Sequence, residues 1–183
     1  MSDVDDSTDS TVDVNGDGVA DTVVTEQYSD GTTESLIDTN GDGVADEVMV
    51  DTNGDGVADE VYYDTDGDGV LDTEVLDTNG DGTADTVYED RNEDGHIDAV
   101  GYDTDGDGKV DTAVFDQDYD GVADTYVTDT NGDGTADTVA VDSNEDGTAD
   151  ATYSDTNGDG TVDTVHYTEG TSTTEPSANP YAN

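Results

Sequence analysis

The sequence predicts an all-β tandem-repeat fold on three observations. A thirteen-residue unit recurs without interruption, its first aspartate standing at Asp38, Asp51, Asp64, Asp77, Asp90, Asp103, Asp116, Asp129, Asp142 and Asp155. Every unit ends in a short run such as EVMV, EVYY, TAVF or TVAV, rich in strand-forming Val, Tyr, Phe and Thr. Thirteen residues are too many for one short strand, so each unit divides into a Gly- and Asp-rich loop and a strand of four to six residues.

The chain of 183 residues is long enough for one domain or one repeat array. It carries 51 Asp and Glu against 2 Lys and Arg, a formal net charge of −49, and only 30% of its residues are hydrophobic. Such a balance ordinarily marks a disordered chain, so something other than a large core has to supply the folding energy. It also repels nucleic acid and anionic membrane surfaces while attracting cations, which excludes nucleic acid as a partner. With no Cys, the chain has neither disulfides nor a thiolate zinc site. No apolar run approaches eighteen residues, so no membrane insertion is expected. The opening MSDVDDSTDSTVD lacks the positive start and apolar run of a signal peptide. The expectation is that a signal was removed before this numbering or that the chain is a piece of something longer.

Three segments follow from the register. Residues 1–12 are an N-terminal flank in which Asp3, Asp5 and Asp9 are the remains of a further repeat. Residues 13–167 are an array of twelve repeats, beginning with DVNGDGVAD at Asp13. The second unit, EQYSDGTTESLI at 26–37, is degenerate and one residue short, with Tyr28 where the others have Asn or Asp, and reads as weak or empty. Residues 168–183 form a Ser/Thr/Pro-containing tail that reads as a flexible linker.

Within each unit the pattern is DxNxDGxxD, with Asn or Asp at position 3. It puts oxygen-bearing side chains at positions 1, 3, 5 and 9. The candidate ligand sets are Asp13, Asn15, Asp17 and Asp21; Asp38, Asn40, Asp42 and Asp46; Asp51, Asn53, Asp55 and Asp59; and Asp64, Asp66, Asp68 and Asp72. They continue as Asp77, Asn79, Asp81 and Asp85; Asp90, Asn92, Asp94 and Asp98; Asp103, Asp105, Asp107 and Asp111; and Asp116, Asp118, Asp120 and Asp124. The last three are Asp129, Asn131, Asp133 and Asp137; Asp142, Asn144, Asp146 and Asp150; and Asp155, Asn157, Asp159 and Asp163. Hard oxygen donors in this number suit Ca2+, which accepts six to eight oxygens in flexible geometry, better than Mg2+, which demands a strict octahedron. About eleven sites are expected from the eleven sets. Gly at position 6, from Gly18 through Gly43 and Gly56 to Gly160, allows the sharp reversal that wrapping an ion requires.

The nine-residue string resembles the calcium loops of dockerin modules, thrombospondin type 3 repeats and integrin FG-GAP repeats. The resemblance implies that the side chains at positions 1, 3, 5 and 9 and the carbonyl at position 7 face the ion, for example Asp51, Asn53, Asp55, Asp59 and the carbonyl of Val57. It stops at the loop. An EF-hand has a bidentate Glu at position 12, where this chain has Val24, Met49, Tyr62, Val75 and Tyr88. Thrombospondin type 3 units carry cysteines, and FG-GAP units are far longer than thirteen residues.

Bringing three carboxylates within about 4 Å of one point costs roughly 1–4 kcal/mol per like-charge pair, depending on the effective dielectric. The empty array is therefore expected not to fold, with metal as a structural requirement. Two assemblies fit: a calcium-stabilised β-solenoid with two units per coil, and a narrow antiparallel β-meander with loops on alternating edges. The solenoid is preferred, because stacking would set equivalent loops over one another.

An enzyme is not expected: carboxylate pairs occur everywhere and single out nothing, and the chain lacks the large side chains of an apolar pocket. His96 and His166 read as surface histidines, and Arg91 and Lys109 as local charge relief. The near-identity of the units points to a structural role, a calcium-rigidified stalk or filament subunit outside the cell or at its surface, with copies of itself end to end as partners. The alternatives are a calcium-dependent adhesin that holds carbohydrate or another partner, and an acidic calcium buffer or mineral-associated protein.

Overall fold

The computed structural model describes residues 4–168. The tail expected at 168–183 lies outside the described residues except for Thr168. Two compact units divide at His96 and Ile97. The first holds β1 (Val4–Val12), β2 (Asp21–Tyr28), β3 (Thr33–Asp38), β4 (Glu47–Asp51), β5 (Glu60–Tyr63), β6 (Thr73–Leu76) and β7 (Thr86–Glu89). The second holds β8 (Ala99–Tyr102), β9 (Thr112–Phe115), β10 (Thr125–Thr128), β11 (Thr138–Val141), β12 (Ala151–Ser154) and β13 (Thr164–Tyr167). Residues 4–12, read from the sequence as a flank, are the long first strand.

Within each compact unit, consecutive strands pair antiparallel in chain order. This is the meander, the second of the two expected assemblies. A solenoid would need parallel pairing between strands two repeats apart, and within neither compact unit do the described strands pair that way. The loop explains the outcome. Its position 9 amide donates to the carbonyl of the residue before position 1, as Asp46 does to Ile37 at 2.8 Å and Asp137 to Thr128 at 2.8 Å. Each loop thus closes on the strand it left and sets the next strand beside it.

The stacking that favoured a solenoid occurs here in another way. Loops alternate between the two edges of the meander, and the position 1 amide of one loop donates to the position 9 carbonyl of the loop two repeats earlier. Asp64 bonds Asp46 at 2.9 Å, Asp77 bonds Asp59 at 2.9 Å and Asp155 bonds Asp137 at 2.9 Å. Thr168 stands where the next position 1 Asp would be. It keeps the amide bond to Asp150 at 3.0 Å, and its hydroxyl donates to the carbonyl of Ala149 at 2.6 Å.

The register sets position 10 opposite position 13 and position 11 opposite position 12, as in Glu60↔Leu76, Val61↔Val75, Tyr62↔Glu74 and Tyr63↔Thr73. Opposite residues share a face, so each face combines positions 11 and 13 of one strand with 12 and 10 of the next. In the second compact unit this lines up Thr112, Thr128, Thr138, Ser154 and Thr164 as one file of hydroxyl residues across five strands. Gly101 makes room for a neighbour: a Cβ there would lie 3.1 Å from Val110 Cγ2.

The core is small and mostly polar. Among the described residues Ile37, Val48, Ala99, Val139 and Ala151 are the buried apolar ones, whereas nine aspartates and Thr125 are buried. The aspartates sit at the loop ends, at positions 1 and 9. Ordered loops flanking the sheet, more than an apolar interior, are what these residues build.

Candidate metal loops

Loop 38–46 shows how the sequence folds locally. Asp38 at position 1 accepts the amide of Gly41 on Oδ1 at 2.6 Å and that of Gly43 on Oδ2 at 2.9 Å. Asn40 Oδ1 accepts from Asp42 at 2.9 Å, and Asp42 Oδ1 accepts from Val44 at 2.8 Å. Both glycines have positive φ, +76° and +91°, which lets the chain fold back around the Asp38 carboxylate. Asp46 at position 9 closes the loop: its Oδ2 accepts the Thr39 amide and hydroxyl, each at 2.6 Å, and its Oδ1 accepts Asn40 Nδ2 at 2.6 Å. Similar bonds recur in loop 51–59, where Thr52 Oγ1 donates to Asp59 at 2.5 Å, and in loop 129–137, where Thr130 donates to Asp137.

The hydroxyl at position 2 was not among the residues singled out from the sequence. Thr39, Thr52, Thr65, Thr78, Thr104, Thr130, Ser143 and Thr156 all donate to the position 9 carboxylate of their loop. Its signal was present as a recurring Thr or Ser. The bond holds the carboxyls of Asp46, Asp59, Asp85, Asp111 and Asp137 below the ordinary Asp value, the hydroxyl being the largest cause in each.

Positions 1, 3 and 9 converge in the three loops that carry Asp at position 3. Asp64, Asp66 and Asp72; Asp103, Asp105 and Asp111; and Asp116, Asp118 and Asp124 each bring carboxylate oxygens within 4.8 Å of one another. Position 5 stands apart from these groups. Asp68 gathers with Asp66 and with Glu93 of the loop two repeats later, and Asp120 likewise with Asp118 and Glu145, within the same distance. In loops with Asn at position 3, such as 38–46, 51–59 and 77–85, the amide joins position 3 to position 9 through Nδ2.

Glu93 and Glu145 were also missed. Both occupy position 4, which is Gly in most loops, and with Tyr119 they are the non-glycine residues of positive φ, +58°, +55° and +64°. Burial first, then a hydrogen bond to Asp68, pushes the Glu93 carboxyl up. Burial and the charges of Asp120 and Asp118 do the same to Glu145.

The degenerate unit forms no such loop. Gly31 donates to the Tyr28 carbonyl at 3.0 Å in a tight turn, and the Tyr28 hydroxyl donates to Glu34 at 2.8 Å and to Glu26 at 3.1 Å. Those two carboxylates face the phenol across the β2–β3 pair, and they raise its pKa above the ordinary tyrosine value, the Glu34 bond first. Of the two cations, Arg91 pairs with Glu89 at 2.6 Å, and Lys109 lies 3.7 Å from Asp107.

Two carboxylate oxygens test whether the donor set fits a cation. Asp21 Oδ1 and Asp142 Oδ1 are buried with no hydrogen-bond partner, on residues 3% and 5% exposed. They belong to positions 9 and 1 of their loops. In loop 142–150, Gly147 holds Asp142 Oδ2 at 2.9 Å, which directs Oδ1 where the Asp38 counterpart meets the position 4 amide. A buried anionic oxygen without a partner is costly, and a cation would supply the missing partner. The residues present fit a hard divalent ion.

Comparison with protein-family models, with curated proteins and with solved structures finds no match for this chain.

Proposed function

We propose that this protein is a calcium-binding structural repeat protein, a calcium-rigidified stalk or filament subunit. The observation that carries the reading is the pair of buried, partnerless oxygens at ligand positions, Asp21 Oδ1 and Asp142 Oδ1. The loop motifs supply carboxylate and amide oxygens, the hard ligands that calcium takes in six- to eightfold sets. Each loop would hold the ion through positions 1, 3 and 9, the positions whose carboxylates converge where position 3 is Asp. The ion would supply the positive charge that lets carboxylates converge in a protein with five buried apolar residues among those described.

Repetition of one loop without a distinctive site supports building length over recognising a ligand. Self-association fits the ends of the meander: β1 pairs with β2 alone and β13 with β12 alone among the described strands, and all of β13 is exposed. An unpaired strand edge is a template for a further strand. Extracellular calcium modules work at dissociation constants of about 10⁻⁴–10⁻³ M, a range that suits a protein outside the cell or at its surface.

Isothermal titration of chelator-stripped protein, with circular dichroism followed in parallel, tests the reading. Uptake of about one ion for each of the eleven loop motifs, coupled to a gain of β structure, is expected. Weak uptake without structural change would make the chain an acidic buffer instead. Light scattering at high protein concentration in calcium then tests end-to-end association, which monomers alone would contradict.

A further inference from the structure

We propose that cation occupancy is positively coupled between loops two repeats apart, on one edge of the meander, and not directly between loops consecutive in sequence; the inference rests on the calcium reading above. In the second compact unit, loops 103–111, 129–137 and 155–163 share one edge, and loops 116–124 and 142–150 share the other.

Candidate ligand residues of different loops are bonded to one another along an edge. The Asp129 amide donates to the Asp111 carbonyl at 2.7 Å, Asp155 to Asp137 at 2.9 Å, and on the other edge Asp142 to Asp124 at 2.8 Å. Position 1 of one loop is therefore placed by position 9 of its edge neighbour. Side chains add to the contact. Lys109 Nζ donates to the Gly132 carbonyl at 2.5 Å, and a Cβ on Gly158 would lie 3.2 Å from Asp133 Oδ2. Glu145 reaches Asp118 and Asp120 of the loop before it on its own edge.

Consecutive loops have no such bond. Loops 103–111 and 116–124 lie at opposite ends of β9, a strand of four residues, about 13 Å long at the usual rise. They communicate only through that strand.

The sign of the coupling follows from order. An empty loop holds several carboxylates against their mutual repulsion. Binding that orders one loop leaves its bonded neighbour less freedom to lose, so the second ion binds more readily. Repulsion between ions works against this. However, loops on one edge are two strands apart, about 10 Å, while the screening length at physiological salt is about 8 Å. A loop with three aspartates also stays negative after taking one divalent ion.

The full chain, isotopically labelled, is titrated with calcium while the amides of Gly108, Gly121, Gly134, Gly147 and Gly160 are followed by NMR, one position 6 glycine per loop. Asp137→Asn, at position 9, weakens loop 129–137 by a side chain bonded within that loop. The calcium midpoints at Gly108 and Gly160 are expected to rise at least about fivefold, and those at Gly121 and Gly147 by less than about twofold. An equal shift at all four, a larger one at Gly121 and Gly147, or none overturns the coupling while leaving calcium binding intact. Failure of every glycine to titrate in the unsubstituted protein overturns the calcium reading itself, and the coupling with it. Should Asp137→Asn not fold in excess calcium, Asp124→Asn gives the inverse test: Gly147 shifts, and Gly108 and Gly134 stay.

Discussion

The β2–β3 hairpin and the β11–β12 hairpin solve the same problem differently. β2 and β3 pair over six positions, Thr22↔Asp38 to Gln27↔Thr33, around a tight turn, with one phenol bridging two glutamates. β11 and β12 pair over four, Thr138↔Ser154 to Val141↔Ala151, and are joined by loop 142–150. The first hairpin closes with ladder bonds and, on the calcium reading, would need no ion. The second has a shorter ladder, and on the calcium reading its order would depend on an ion in the loop. With each hydrogen bond contributing about 1 kcal/mol net, a ladder of four cannot offset both chain entropy and carboxylate repulsion. On the calcium reading, strand length and ion dependence would be exchanged for one another along the chain.

The largest test of this contrast is removal of the ion. A chelator is expected to abolish the β signal in circular dichroism. In hydrogen exchange at limiting calcium, amides of β2 and β3 should lose protection last; uniform loss along the chain would dissolve the distinction. Next comes backbone geometry. Gly147→Ala, at φ +84° with nothing within 4 Å of the added Cβ, is expected to cost about 1–2 kcal/mol in calcium-saturated thermal unfolding, from the left-handed conformation alone. An unchanged midpoint would mean that the loop relaxes freely.

Acid comes third. The carboxyls of Asp46, Asp59, Asp85, Asp111 and Asp137 are held low in the folded protein. A depressed carboxyl stabilises the fold above its unfolded value, about 3.9, and this stability is lost as pH falls from there through the lower folded value. Circular dichroism against pH in calcium should show the repeats melting below about pH 4; a transition complete near neutrality would contradict the loop bonds. The smallest effect is expected of Tyr28→Phe, which removes the hydroxyl between Glu26 and Glu34 and leaves them opposed. A modest fall in thermal midpoint, with calcium uptake unchanged, is the expected outcome. Reduced uptake would instead give the degenerate unit an ion of its own.

Much of the loop was legible beforehand because its chemistry is local. Asp38, Asn40 and Asp42 serve amides only a few positions further on, within one turn of chain, and the glycine at position 6 is forced by the same turn. Thr39 was overlooked because a hydroxyl donating to a carboxylate looks like any surface Thr until the loop closes. Glu93 and Glu145 were overlooked for another reason. Their partners are Asp66 and Asp68, and Asp118 and Asp120, in a loop two repeats away, and only the meander shows that these loops are neighbours.

The sequence by itself determined the period, the all-β class, the loops and their oxygen donors, since each depends on residue type and on spacings shorter than one repeat. The tertiary structure alone decided between meander and solenoid, the exchange of faces at every strand, and which loops touch. Those depend on the position 9 amide bonding back to the strand just left, as Asp46 does to Ile37, a hydrogen bond in which side-chain identity leaves no trace.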